Sequence, residues 1–166
     1  SRGLGDVYKR QAYNDGKWVS GTNSYGSASR GGACRAEVVI SDQPISYPYV
    51  IEADVMVAMY QTAYNKYIRE VKPEGGIVIY DDHYVTAGTI SGLKHIPVSA
   101  TRTAIEELKS ELAANMIMLG AATEITGLVT KEALLAAVAE IVSERLRELD
   151  LKAVEIGFGL GSAKAA

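Results

Sequence analysis

Residues 54–80 constrain the fold more than any other stretch of this chain, because they change hydrophobic period twice within a short span. Asp54–Met59 is a short, continuous apolar run of the kind buried on both faces of a parallel sheet. Gln61–Arg69 then displays Tyr64, Tyr67 and Ile68 at spacings of three and four, which predicts a helix. Pro73-Glu74-Gly75-Gly76 stops that helix, and Gly76–Tyr80 is a second apolar strand. Strand, helix and strand in this order predict parallel pairing through a right-handed crossover, and hence an α/β domain.

The flanks extend the pattern. His95–Ser99 is a further strand, and Thr101 or Thr103 is placed to cap the helix after it. A break is expected at Lys109-Ser110, then a second helix over Glu111–Ile125 with Gly127 beyond its end. Thr130 caps the next helix, in which Leu134, Leu135, Val138, Ile141, Val142, Leu146 and Leu149 trace one apolar stripe suited to covering a sheet. Leu151–Leu160 adds a short terminal helix, and Gly161–Ala166 is expected to fray. Upstream, Ala12–Gly16 reads as the end of a helix, with Asn14-Asp15-Gly16 as its stop signal. A strand over Lys17–Thr22 is followed by a loop, Asn23–Gly32, and a strand, Ala33–Ser41. In that strand Val38-Val39-Ile40 suits a buried sheet position, whereas Pro44 and Pro48 make Gln43–Tyr49 a connection.

The loop between those two strands carries the chemistry. Gly26, Gly31 and Gly32 permit positive φ and close backbone approach, and Arg30 is the strong anion partner among them. Such a loop serves either as an anion cradle of backbone N–H groups beside a guanidinium, or as a tight surface turn whose arginine pairs with a nearby carboxylate.

Residues 1–11, SRGLGDVYKRQ, resemble an in-frame translation of a sequencing-library adapter and are expected to be foreign to the domain, which then spans 12–166 and has lost its native beginning. Setting aside Arg2, Lys9 and Arg10 against Asp6 leaves 14 basic and 19 acidic residues, so the net charge moves from −3 to −5. A mildly acidic domain disfavours a nucleic-acid surface. No apolar run reaches the roughly twenty residues that span a bilayer, so neither nucleic acid nor membrane is expected as a partner and the cytoplasm is the expected location. One cysteine, Cys34, can supply neither an internal disulfide nor a four-thiolate metal site.

Three ordered segments, SYGSASRGGACRAEVVISDQPISYP (24–48), ADVMVAMYQTAYNKY (53–67) and ATRTAIEELKSELAANMIMLGAATEITGLV (100–129), resemble the gamma subunit of the 2-oxoacid:ferredoxin oxidoreductases, the 2-oxoglutarate branch in particular. The resemblance runs in register from about Gly16 to Gly157. It implies a three-layer α/β/α Rossmann-like domain with a mostly parallel sheet, lacking the family's first strand and glycine-rich loop, where the adapter stands. It also implies a subunit, inactive alone, of a complex that oxidatively decarboxylates a 2-oxoacid, 2-oxoglutarate in the branch it resembles, to an acyl-CoA with ferredoxin as electron acceptor. Alpha, beta and ferredoxin-like subunits are the implied partners. Thiamine diphosphate, Mg2+ and [4Fe-4S] clusters are implied on those partners, and none on this chain, which lacks a GDG-type diphosphate motif and a cysteine array. Coenzyme A is the implied co-substrate, and Asn23, Ser24, Tyr25, Gly26, Arg30, Gly31 and Gly32 are the positions matching the family's SYG and RGG segments that would meet it. No catalytic residue and no metal ligand is assigned to this chain.

Other groups read as structural. Asp81-Asp82-His83 are adjacent residues that seldom converge on one ion, so they are expected to be a solvated strand end. His95, before Ile96-Pro97, is expected to be a hydrogen-bonded structural histidine. Asn115 and Met116 are expected to structure the helix behind the loop. Two alternatives to a ligand-binding subunit stand beside these readings. One is a purely structural subunit whose tyrosines at 25, 47, 49, 60, 64 and 67 anchor an interface, in this complex or a pyruvate, branched-chain or indolepyruvate relative. The other is an independent dinucleotide-binding domain, which lacks the fingerprint glycines here.

Overall fold

The computed structural model describes residues 17–24 and 35–165. Strands β1 (Trp18–Ser24) and β2 (Arg35–Ser41) form an antiparallel ribbon whose rungs run from Trp18 opposite Ser41 to Ser24 opposite Arg35. Strands β3 (Val55–Ala58), β4 (Ile77–Asp81) and β5 (Lys94–Val98) form a separate parallel sheet in the order β3-β4-β5. Helix α1 (Gln61–Tyr67), continued by a 3-10 turn over Ile68–Glu70, makes the crossover between β3 and β4. The strand–helix–strand expectation for 54–80 therefore holds, with strand ends shifted by one residue. Central β4 carries Val78 and Ile79, both wholly buried, as a middle strand covered on both faces must.

Each face of the sheet closes its own apolar cluster. Met56, Ala58 and Val78 pack with Tyr64 of α1, Val71 and Val85. Ile79, Ile96 and Val98 join a larger cluster built from helices α2 (Ala100–Leu108), α3 (Ala114–Thr126), α4 (Lys131–Ile141) and α5 (Glu144–Ala165). Helices thus lie on both sides of the sheet, the layering expected of an α/β domain.

Helix boundaries follow the local signals where those are strong. Lys109 ends α2 in the left-handed region at φ 52°, and Gly127 ends α3 at φ 62°. Between them a 3-10 turn, Glu111–Ala113, leads into α3, as the expected break at Lys109-Ser110 requires. Helix α3 is buried nearly all round, from Met116 to Thr123, and is the axis of the helical layer.

Four expectations are corrected. Val38, Val39 and Ile40 are half-buried, because β2 belongs to a two-stranded ribbon and not to the parallel sheet. Thr101 and Thr103 both lie inside α2, and Ser99 occupies its cap position. The stripe drawn from Leu134 to Leu149 is broken: Val142 is extended at ψ 141°, α4 ends there, and Leu146 faces solvent on the next helix. Its buried residues, Leu134, Ala137 and Val138, pack in the helical layer against α3 and α5. Finally, the C-terminal segment is a 22-residue helix that continues through Gly161, with Ala153, Val154 and Phe158 buried. Its small face explains the persistence. A Cβ on Gly157 would overlap the Ile117 carbonyl and one on Gly120 the Val154 carbonyl, so α3 and α5 cross nearly backbone to backbone. Close packing there outweighs the poor helix propensity of glycine, about 1 kcal/mol per residue. The helix end expected at Ala12–Gly16 lies outside the described residues.

Candidate functional site

Two of the candidate ligand residues, Asn23 and Ser24, expected in a loop, lie on β1 instead, because the ladder with β2 continues through them. Asn23 pairs with Ala36 and Ser24 with Arg35, so these two candidate residues occupy the last rungs before the hairpin connection. Tyr25, Gly26, Arg30, Gly31 and Gly32, like Cys34, lie outside the described residues. A side-chain cluster missed in the sequence stands at the same place. Arg35 Nη1 donates to Glu70 Oε2 at 2.5 Å, its Nη2 meets Glu37 Oε1 at 3.0 Å, and its guanidinium carbon lies 4.9 Å from the Tyr67 ring centroid. Thr22 Oγ1, across the ladder from Glu37, donates to Glu37 Oε2 at 2.8 Å. The planar guanidinium divides its fork between a carboxylate on its own strand and one on the 3-10 turn after α1, while its face rests on an aromatic ring. Only the alternation of Arg35-Ala36-Glu37, which puts both charges on one strand face, hints at this in the sequence.

A second polar group gathers at the carboxyl ends of the parallel strands, the side on which open α/β sheets place their working residues. Asp81, expected to be solvated, is fully buried at 0% exposure. Its Oδ2 accepts both the backbone N–H of Thr101, at 3.1 Å, and the Thr101 hydroxyl, and its Oδ1 accepts the His83 N–H at 3.1 Å. A carboxylate from the end of β4 therefore caps α2 from outside the helix, where negative charge meets the positive end of the helix dipole. This is why Ser99 needs no side-chain capping bond; it donates to Asp82 Oδ2 at 2.7 Å instead. Arg102 stands 3.8 Å from the other Asp82 oxygen. Beside this group Tyr60 and Tyr84 stack with centroids 4.9 Å apart, and the Tyr84 hydroxyl donates to Glu111 Oε1 at 2.6 Å. That bond, with burial and the nearby negative charge, pushes the Tyr84 phenol up to about 12.

His95 is hydrogen-bonded as expected: its Nε2 lies 3.1 Å from the Tyr64 hydroxyl, which also accepts the Gly88 N–H. Asn115 Oδ1 accepts the Met116 N–H at 2.8 Å, at the start of α3. Tyr64 is buried, whereas Tyr47, Tyr49 and Tyr60 are each more than half exposed. Among the described residues no group of three His, Cys, Asp or Glu is placed to hold a metal ion, and no helix is long and apolar enough to cross a membrane.

Comparison with known proteins adds to this geometry. The family model described as pyruvate ferredoxin/flavodoxin oxidoreductase matches residues 3–160. The chain is 40% identical over 149 residues to the 2-oxoglutarate synthase subunit KorC of Methanocaldococcus jannaschii, covering 89% of this chain and 79% of that protein. Among solved structures, the keto/oxoacid ferredoxin oxidoreductase gamma subunit of Geobacter sulfurreducens superposes with a TM-score of 0.81 at 34% identity, over 96% of this chain and 90% of that one. The 2-oxoglutarate:ferredoxin oxidoreductase of Magnetococcus marinus gives a TM-score of 0.86 at 23% identity, over 96% of this chain and 28% of that one, which is a likeness of fold.

Proposed function

This chain belongs to the pyruvate ferredoxin/flavodoxin oxidoreductase family, and from that premise we propose that, as the gamma subunit of a 2-oxoacid:ferredoxin oxidoreductase complex, it lines the coenzyme A side of a 2-oxoglutarate-oxidising site. The observation that carries the substrate is the 40% identity to a 2-oxoglutarate synthase subunit over 89% of this chain. In the proposed reaction 2-oxoglutarate loses carbon dioxide, two electrons pass to ferredoxin, and the succinyl group is transferred to coenzyme A.

The division of labour follows from donor chemistry. One cysteine in 166 residues cannot ligate a [4Fe-4S] cluster, so the clusters, with thiamine diphosphate and Mg2+, are assigned to the alpha, beta and ferredoxin-like partners. What this chain offers between β1 and β2 is a glycine-rich sequence carrying Arg30, a set suited to the phosphates of coenzyme A. Asn23 and Ser24 stand on the final rungs, and Tyr25, Gly26, Arg30, Gly31 and Gly32 complete the proposed contact. We place the assembly in the cytoplasm, where ferredoxin and coenzyme A are both available.

The test is steady-state kinetics of the complex assembled with its partner chains, varying coenzyme A and 2-oxoglutarate separately. Arg30→Ala should weaken coenzyme A by about 1.5 to 3 kcal/mol, the worth of a hydrogen bond to a charged group, with assembly unchanged by elution volume. Wild-type Michaelis constants for both ligands would defeat the assignment. The structural-subunit reading would then be preferred, supported by the exposed Tyr47, Tyr49 and Tyr60, whose amphipathic rings suit a subunit interface.

A further inference from the structure

The ribbon is poorly anchored by apolar packing. Among the described residues, neither apolar cluster of the domain includes a member of β1 or β2. Ser20 Oγ reaches the Pro48 carbonyl at 3.4 Å, but Pro48 belongs to the connection that follows the ribbon. Arg35 is different, since it bonds Glu70 and covers Tyr67, residues of the crossover that connects β3 to β4.

We propose that Arg35 is a positioning residue, a clamp that fixes the hairpin end bearing Asn23 and Ser24 to the parallel-sheet body and thereby sets where that end meets its ligand. The inference rests on the assignment of this hairpin end to coenzyme A. Its physical content is a relay of contacts. Thr22 orients Glu37 across the ladder, Glu37 holds one arm of Arg35, and the other arm reaches Glu70. Arg35 itself is paired with Ser24, so any rotation of the ribbon about its base is transmitted to the final rungs. A guanidinium suits the task because it can satisfy two carboxylates in different directions while stacking on Tyr67; an ammonium offers a compact charge without the fork. The Tyr67 ring also receives Lys66, whose Nζ is 5.0 Å from its centroid, so the ring is a shared landing surface for cations from the ribbon and from its own helix.

Exposed ion pairs contribute little to global stability, and the ribbon lies outside the apolar clusters. Loss of the clamp should therefore appear as misplacement and not as unfolding. The experiment compares wild type with Arg35→Gln, Glu70→Gln and Arg35→Lys in the assembled complex, with Arg30→Ala alongside. Hydrogen exchange is followed in 18–24 and 35–41, in β4 and in α3, and the Michaelis constants for coenzyme A and 2-oxoglutarate are determined separately. Arg35→Gln and Glu70→Gln should both speed exchange in the ribbon, leave β4, α3 and the melting temperature unchanged, and raise the coenzyme A constant on the order of tenfold with the 2-oxoglutarate constant unmoved. Arg35→Lys should fall between them and wild type. Ribbon exchange equal to wild type would overturn the clamp whatever the kinetics. Faster ribbon exchange with an unchanged coenzyme A constant, in a complex where Arg30→Ala raises it, would overturn the positioning role alone. An unchanged constant in both Arg30→Ala and Arg35→Gln would overturn the coenzyme A assignment and the positioning role together.

Discussion

Two glycines on α5, two residues apart, should respond with opposite sign to the same substitution. At Gly157 a Cβ would overlap the Ile117 carbonyl and come within 3.0 Å of the Ala121 N, both backbone atoms of α3 that cannot rotate away. The helices must then separate, loosening contacts among Ile117, Ala121, Ala153, Val154 and Phe158, all buried in the larger cluster. Overpacking of this kind costs about 1–3 kcal/mol, more when backbone must move, against a gain of about 1 kcal/mol in helix propensity. At Gly159 the same Cβ meets nothing within 4 Å, so only the propensity gain remains. With backbone in the way the cost lies at the upper end of that range, so Gly157→Ala should destabilise by about 2 kcal/mol and Gly159→Ala should stabilise by about 0.5–1 kcal/mol. For a domain of this size, 1 kcal/mol moves the melting temperature by roughly 2–4 °C. Thermal and urea unfolding of the two variants beside wild type is the assay. Equal shifts of the same sign would refute the close crossing of α3 and α5, because propensity alone would then be deciding both.

Asp81→Ala should cost about 3 kcal/mol or more, because the Thr101 N–H, the Thr101 hydroxyl and the His83 N–H all lose their acceptor around a buried site; Asp81→Asn, which keeps one acceptor oxygen, should cost less in the same unfolding experiment. The Tyr84 phenol, raised to about 12, stays protonated in the folded chain over a range where the unfolded chain has begun to ionise, so its contribution to stability is complete below pH 10 and is lost as pH climbs through 12. The difference in phenolate absorbance between wild type and Tyr84→Phe should show that late titration, and Glu111→Gln should bring it earlier; a Tyr84 titration near pH 10 with Glu111 intact would contradict the hydrogen bond. The purified chain without its partner subunits should show no iron–sulfur absorbance and should not reduce ferredoxin with 2-oxoglutarate, and turnover by the single chain would overturn the proposed division of labour.

Much of the domain was legible wherever a local signal and the tertiary outcome agree. The change of period over 54–80 requires two buried strands and a crossover helix, and β3, α1 and β4 follow it. Gly127 stops its helix because glycine accepts the left-handed conformation freely, a stop written in the residue itself, whereas Lys109 takes up the same conformation at φ 52° without that freedom. The ordered motifs likewise carried the family, since they fix residue types at spacing across nearly the whole chain. Misreadings came where sequence pattern is blind to what lies opposite. An apolar run such as Val38-Val39-Ile40 has the same appearance in a buried sheet and in a half-buried ribbon, and only pairing with β1 decides between them.

Helix α5 inverts the usual inference in the same way. Its glycines argue for fraying when taken one by one, yet Gly157 and Gly161 are buried because α3 approaches closely enough to need them. Asp81 next to Asp82 and His83 looks like a solvated turn until Thr101, twenty residues later in the chain, brings a helix N-terminus to its carboxylate. The Arg35 cluster is the most distant of these cases, since Arg35 and Glu70 are separated by 35 residues and no periodicity links them. The sequence by itself determined the change of period over 54–80, the helix breaks at Lys109-Ser110 and Gly127, and the family. Tertiary structure alone decided which apolar faces are covered, which glycines are packed and which charges meet, because burial, close approach and ion pairing are set by distances between elements and not by order along the chain.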